Sequence, residues 1–246
     1  MRGGGNGSAM VVRELRHPFE RIEISIAIEP RALLAHTKRA RCFSRHRENS
    51  LLAYGQNGEA MRPSQGYPLR LINPGWEGNT NVKWLHSLKL TDQPYMARDE
   101  TSKYSDLMPD GKARIFTYAM EAKSVITFPS GGQTLRAHGL YELTGLAWSG
   151  RGRIERVEVT IDGGRTWVQA ALQEPRLPIA LTRFRLPWRF DGHAALIASR
   201  AVDETKYVQP TREALIAARG TNSIYHYNGI KVWSVRADGT VTHVEA

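Results

Sequence analysis

The stretch that decides the fold is IERVEVTIDGGRTWVQAAL, residues 154–172. Val157, Val159 and Ile161 alternate with Arg156, Glu158 and Thr160, the period of two that points successive side chains to opposite faces of a strand. Asp162-Gly163-Gly164 then interrupts the run with residues that tolerate positive φ, a strong hairpin signal. The apolar run of TWVQAAL resumes behind it. Strand, turn and strand in nineteen residues define an antiparallel β-hairpin.

Reading outward, the same grammar repeats. LYELTGLAWSG, ALTRFRLPW, HAALIASRAV, IKVWSVR and TVTHVEA are strand-length segments, and Asp191-Gly192 and Asp238-Gly239 supply further turns. About seven strands at this spacing, from about Glu121 onward, predict a β-sandwich of immunoglobulin-like size. The chain has a single cysteine, Cys42, so no Cys–Trp–Cys pattern exists and no internal disulfide can form.

Upstream the texture changes. Residues 51–118 are loop-rich, with short strands at YPLRLI and VKWLHSLKL. Residues 92–114 have almost no periodicity. Loops of that length inside a compact domain are usually functional or disordered. Residues 1–48 differ again: nine Arg and one Lys stand against five Glu, which is half of the chain's net charge of +10. GGGNGS opens flexibly and is no phosphate loop, because no Gly-Lys-Ser/Thr follows. RIEISIAI alternates as a strand does, whereas the Arg-heavy segment behind it has a poor helical pattern.

These numbers exclude several classes. No run approaches the ~18 apolar residues of a membrane span, so no membrane is expected. MRGGGNGSAM lacks the apolar core of a signal peptide, and the chain as written would stay in the cytoplasm. Eight scattered histidines and one cysteine make no metal-ligand pattern, so a protein-only metal site is not expected. No helix-turn-helix, RRM or zinc-finger pattern accompanies the basic charge, and nucleic acid is not expected as a partner.

Five residues carry possible chemistry. GYPLRLINPGWEGNTNVKW, residues 66–84, combines exposed turn backbone with Arg70 and Lys83. If the loop folds back, both cations lie on neighbouring strands and can converge on one phosphate-sized anion; otherwise they are solvated cations at strand edges. Tyr104, in a charged loop, can donate to an oxyanion or cover a core edge. Arg219 precedes a glycine and a polar turn, where it can bind an oxyanion or lie on the surface. His226 can carry protons or serve the structure as a satisfied histidine.

The wording itself then adds a resemblance. LLAYGQNGEAMRP, GYPLRLINPGWEGNTNVKWL, ETSKYSDLMPDGKARIFTYAMEAKSVITFPSGG, GLAWSGRGRIERVEVTIDGGRTW, SRAVDETKYVQP and RGTNSIYHYNG resemble the sulfite oxidase family of molybdenum enzymes, and within it the molybdenum subunits of sulfane (sulfite) dehydrogenases. The resemblance runs from about Asn49 to Ala246. It implies that residues 49–118 are the C-terminal part of a mixed α/β molybdopterin-binding domain. Residues 119–246 would be an immunoglobulin-like (E-set) sandwich that forms the homodimer.

Further implications concern single residues. The pterin would be held by Arg70 of the Gly-Tyr-Pro-x-Arg element and by Asn81, Val82 and Lys83. Gln65 stands where the family often has histidine. Tyr104 would be the tyrosine beside the molybdenum, and Arg219 an arginine of the substrate oxyanion pocket. The resemblance further implies a molybdenum–molybdopterin cofactor, an inorganic sulfur substrate, a cytochrome c electron acceptor and a periplasmic parent enzyme. In the family a cysteine thiolate ligates the metal on an upstream segment in a Cys-x-Gly-Asn-like context. Cys42, in RARCFSRHREN, lacks that context and is not expected to be a ligand. Residues 1–48 resemble nothing in the family. The expectation is a truncated or frameshifted product, read natively from Glu48 or Asn49. A catalytically silent chain that only associates through its sandwich is the alternative.

Overall fold

The structure is a computed structural model. It describes residues 21–27, 38–43, 50–91, 104–115, 117–221 and 226–244, with the backbone alone at 21–27, 38–43 and 87–91. The readings made on 92–103 and on most of the first 49 residues lie outside those limits. The chain divides into two compact units, residues 1–105 and 106–246.

In the first unit, β1 (Arg21–Ala27) pairs antiparallel with β2 (Lys38–Phe43), on which Cys42 lies. The alternating RIEISIA run is thus a strand, as its period predicts. β3 (Leu51–Ala53) is followed by the hairpin of β4 (Gly55–Gln56) and β5 (Glu59–Ala60). Its two-residue loop, Asn57-Gly58, has positive φ at both positions, 55° and 82°. That is the turn geometry whose twist matches the flanking strands. β6 (Arg70–Ile72) pairs with β3, and β7 (Ser87–Thr91) joins the other edge of β1.

Residues 73–85 fold back on β6, the first of the two arrangements left open by the sequence. Leu71 and Val82 exchange both backbone hydrogen bonds, at 2.8 and 3.0 Å. Leu71, Val82 and Leu85 form a small buried cluster with Leu52 and Leu69 packed against it. The intervening loop is laced by its own amides. Asn73 N–H donates to Asn81 Oδ1 at 2.8 Å, Asn73 Nδ2 to Thr80 O at 2.9 Å, and Asn81 Nδ2 to Glu77 O at 3.1 Å.

A hairpin of β8 (Ser105–Leu107) and β9 (Ala113–Ile115) straddles the start of the second unit. The remaining strands are β10 (Lys123–Phe128), β11 (Gly139–Trp148), β12 (Ile154–Thr160), β13 (Val168–Gln169), β14 (Ala171–Leu172), β15 (Thr182–Phe190), β16 (Ala195–Asp203), β17 (Val232–Val235) and β18 (Val241–Val244). They make two sheets, ordered β10-β11-β15-β14 and β13-β12-β16-β17-β18. The sandwich is therefore present, and the protein is mainly β.

The 154–172 hairpin forms, with Val159 opposite Val168. One detail differs from the alternation read there. Val157 and Val159 are buried, but Ile161 is 42% exposed and Thr160 is buried. The strand ends at Thr160, whose hydroxyl turns to Asp162 Oδ1 at 2.7 Å, while Asp162 accepts from Arg165 N, Thr166 N and Thr166 Oγ1. The turn's polar needs override the period of two.

The two sheets close on Ile126, Leu143, Val157, Phe184 and Ile197, all at most 1% exposed. One buried amide bridges them. Gln209 Oε1 accepts from Ser124 N and Ser124 Oγ on β10, each 2.8 Å, and from Ala201 N on β16 at 3.1 Å. A satisfied polar group of this kind fixes how the sheets pair.

The helix α1 (Arg212–Arg219) was not expected from the sequence. Thr211 caps it, accepting from Ala214 N, and Glu213 stands in the first turn. Leu215 and Arg219, four residues apart, share its buried face. The helix thus delivers an arginine inward.

Candidate functional site

In the first unit, the pairing of Leu71 with Val82 puts Arg70 and Lys83 at opposed positions of neighbouring segments. Gly66 makes the approach possible. Its φ is +115°, and a Cβ there would stand 3.0 Å from both Cα and Cβ of Lys83. The turn at residues 63–66 therefore rests on 83–84, with Trp84 Nε1 donating to Pro63 O at 2.8 Å and Lys83 Nζ to Ser64 O at 2.9 Å. Arg70 reaches Gln65 O at a long 3.4 Å.

So Gln65, Arg70 and Lys83 are brought together. Asn81 and Val82 do something else with their side chains: the Asn81 amide ties the loop, and Val82 is 1% exposed in the small core. They set the backbone beside Lys83 rather than presenting side chains.

The surroundings of the two cations fit an anion. Arg70 Nε is buried without a hydrogen-bond partner, and among the described residues neither Arg70 nor Lys83 has a carboxylate partner. A buried donor left unmet costs about 1–3 kcal/mol, and a bound oxyanion would satisfy it. Arg70 also lines an open cleft of about 970 Å³, together with Tyr54, Gln56, Met61 and Ile72. A pterin phosphate and its hydrogen-bonding edge are suited to such a donor set.

Tyr104 is half-buried near the end of the first unit. Arg219 belongs to the second, where its side chain is 2% exposed. Its guanidinium stands between two carboxylates, Asp106 at 3.7 Å and Glu121 at 3.6 Å. Glu121 is the hub. It also receives Arg151 NH2 at 2.7 Å and the Tyr207 hydroxyl at 3.1 Å, and it contacts His226 Nε2 at 3.0 Å. His226 Nδ1 meets Thr117 Oγ1 at 2.8 Å, and Asn228 Nδ2 donates to Tyr207 Oη at 3.0 Å.

Burial pushes the Glu121 carboxyl up, but the His226 hydrogen bond and the charges of His226, Arg151 and Arg219 outweigh it and hold the group down to about 2. Burial, with a further push from the Glu121 charge, raises the Tyr207 hydroxyl despite the Asn228 contact. The carboxylate is therefore ionised at any physiological pH. Sequence reasoning singled out Arg219 and His226 and missed Glu121, Asp106, Arg151 and Tyr207. Glu121 is separated by 105 residues from His226 and by 30 from Arg151, and no local pattern marks such a pairing. Among the described residues, no group of His, Cys, Asp and Glu could hold a metal ion.

Comparison with known proteins defines the class. Residues 114–233 match the Mo-co oxidoreductase dimerisation domain, and residues 30–98 match the oxidoreductase molybdopterin binding domain. The second match begins within the Arg-rich segment, so the expectation that residues 1–48 resemble nothing in the family does not hold for residues 30–48. Mitochondrial sulfite oxidase of Rattus norvegicus is 33% identical over 181 residues, which are 68% of this chain and 33% of the relative. A Hordeum vulgare nitrate reductase [NAD(P)H] is 34% identical over 189 residues, 66% of this chain and 21% of the relative. The chain belongs to the sulfite oxidase family of molybdopterin enzymes.

Within that family it is similar to the sulfane dehydrogenase SoxCD from Paracoccus pantotrophus. That crystal structure matches with a TM-score of 0.84 and 48% identity, over 92% of this chain and 58% of the other. The chain thus spans a third or less of the curated relatives named and somewhat over half of the solved one. The cofactor implied by these resemblances is molybdenum–molybdopterin.

Proposed function

We propose that this chain serves a molybdopterin-dependent oxidoreductase of inorganic sulfur compounds, sulfane sulfur or sulfite. The observation that carries the reading is the cation pair of the first unit: Arg70 and Lys83 on opposed positions, Arg70 Nε buried and unmet, and no carboxylate beside them among the described residues. Arg70, Lys83 and the backbone at Asn81 and Val82 would hold the pterin and its phosphate, with Gln65 at the rim. When bound, the molybdenum cofactor supplies the redox couple. Tyr104 and Arg219 orient the sulfur oxyanion by hydrogen bond and charge, with water as the oxygen source. Electrons leave to a cytochrome c, the sandwich forms a homodimer, and the working site is the periplasm. Among the described residues no helix is long and apolar enough to cross a membrane.

A second reading is a catalytically silent chain that associates through its sandwich. It is favoured by the sandwich core, which closes on residues of the second unit alone. Elemental analysis of the purified 246-residue protein, with fluorescence of released pterin, separates the two. Near-stoichiometric molybdenum and pterin, both lost in an Arg70→Gln, Lys83→Gln variant, is the result expected of the first reading. Neither molybdenum nor pterin in a soluble dimer would leave only the second.

A further inference from the structure

Glu121 lies two residues before β10, and its two oxygens are unequally engaged. Oε1 has Arg151, at 2.7 Å. Oε2 has three claimants: His226 Nε2 at 3.0 Å, the Tyr207 hydroxyl at 3.1 Å and Arg219 NH2 at 3.6 Å. The arginine contact is the longest of the set. What His226 draws from Oε2, Arg219 loses.

His226 is placed to change its share without moving. Its Nδ1 faces the Thr117 hydroxyl at 2.8 Å, and a hydroxyl both donates and accepts. When the ring is neutral with Nε2–H on Glu121, Thr117 donates to Nδ1. When the ring is an imidazolium, Nδ1–H donates to Thr117. Rotation of one hydroxyl accommodates the proton, and Glu121 meets the new charge.

We propose that Glu121 Oε2 is a shared counter-ion divided between Arg219 and His226, so that protonation of His226 draws the carboxylate toward itself and raises the affinity of Arg219 for an oxyanion. This makes Glu121 a positioning residue of the site, and it rests on the reading of Arg219 as an oxyanion-binding residue.

The charge count around the pair supports it. Arg151 and Tyr207 face the carboxylate, Asp106 faces the guanidinium at 3.7 Å, and Arg114 NH1 donates to Ala218 O, just before Arg219, at 3.0 Å. With His226 neutral, Arg114, Arg151 and Arg219 face Glu121 and Asp106, and both carboxylates lie directly on the Arg219 guanidinium. An arginine flanked by two carboxylates offers little field to an outside anion. The imidazolium adds one positive charge within a buried environment, where it is screened little. Glu121, held well below its ordinary value, stays ionised across the pH range of the experiment.

Inorganic sulfate is the probe, because its charge is constant between pH 5.5 and 8.5. Its affinity for the full-length chain is measured by calorimetry across that range at fixed ionic strength. The His226 imidazole is titrated in parallel by nitrogen-15 NMR and assigned with His226→Gln. The expected result is an affinity that rises about tenfold as pH falls, with the midpoint of the His226 titration. In Glu121→Gln both midpoints move down together. In His226→Gln the profile is flat, which keeps the test open should Glu121→Gln fold poorly. Sulfate held through Arg219, lost in Arg219→Gln, but with a pH profile that ignores His226, overturns the shared counter-ion and leaves the oxyanion reading standing. Absent sulfate binding, or binding indifferent to Arg219→Gln, overturns the oxyanion reading and the inference with it.

Discussion

Arg219 and Arg70 are both drawn away from water, yet they meet different surroundings. Arg219 is 2% exposed, and Asp106 and Glu121 stand within 4 Å of it. Arg70 is half-buried, with its Nε unmet and no carboxylate partner among the described residues. Burying an ion is costly unless a partner is built in. The second unit builds in the partner; the first leaves the place open. An open cation beside a cleft is a binding feature, whereas a closed one needs its partner drawn off before it can bind.

The same contrast appears in the cores. The sandwich has a continuous interior from Ala122 to Val241, while the described part of the first unit gathers only Leu71, Val82 and Leu85. The sharpest way to break this comparison is Phe184→Ala. Phe184 is fully buried and touches the space above Gly145, where a Cβ would come within 2.1 Å of its ring. Loss of about 3–5 kcal/mol is expected, read as a lowered thermal transition of the sandwich. Leu71→Ala should leave that transition in place; a shared collapse would show that the cores are one cooperative unit.

Next in size is Glu121→Gln, expected to cost on the order of 3 kcal/mol at neutral pH. The folded carboxyl lies at about 2, below its ordinary 4.5. Its stabilisation is therefore complete above pH 4.5 and is lost as pH falls through about 2. Acid titration of urea unfolding should show that slope in the native chain and a flatter one in the variant. Equal slopes would mean that the hub contributes nothing to acid stability.

How far the sequence foretells this arrangement depends on the distance over which a residue finds its partners. The 154–172 hairpin and the strand of 21–27 are legible because their determinants are local, a period of two and turn residues, whereas the fold-back of 73–85 was one of two open readings. The Asn57-Gly58 hairpin carried an equally local signal that the reading passed over. Helix α1 was hidden because TREALIAAR is short and follows a proline among strands, although Thr211 and Glu213 mark its start. Arg70 with Lys83 was reachable, since one loop separates them. Glu121 was not, since its four partners are spread from Arg151 to His226. The sandwich arrangement that assembles them is not encoded near any one of them.

Gly66→Ala sharpens the comparison from the side of the first unit. An L-residue at φ +115° is strained, and its Cβ would press on the Lys83 backbone at 3.0 Å. A cost of about 1–2 kcal/mol is expected, with Lys83 pushed off the 63–66 turn. Chemical shifts of residues 64–84 should move while those of the sandwich core stay fixed. Movement of the sandwich core signals instead would refute a local effect.

The smallest stability effect belongs to Arg70→Gln, and it is the most telling. Arg70 donates one long bond, 3.4 Å to Gln65 O, and its Nε meets nothing. Truncating it removes no strong interaction and relieves an unmet donor, so unfolding should change by no more than about 0.5 kcal/mol in either direction. The corresponding loss at Arg219 would strip Asp106 and Glu121 of a shared cation and cost several-fold more. If Arg70→Gln is silent in stability while molybdenum and pterin content falls, the open cation is there for its ligand. If instead it destabilises as Arg219→Gln does, Arg70 is a structural cation after all, and the contrast between the two units disappears.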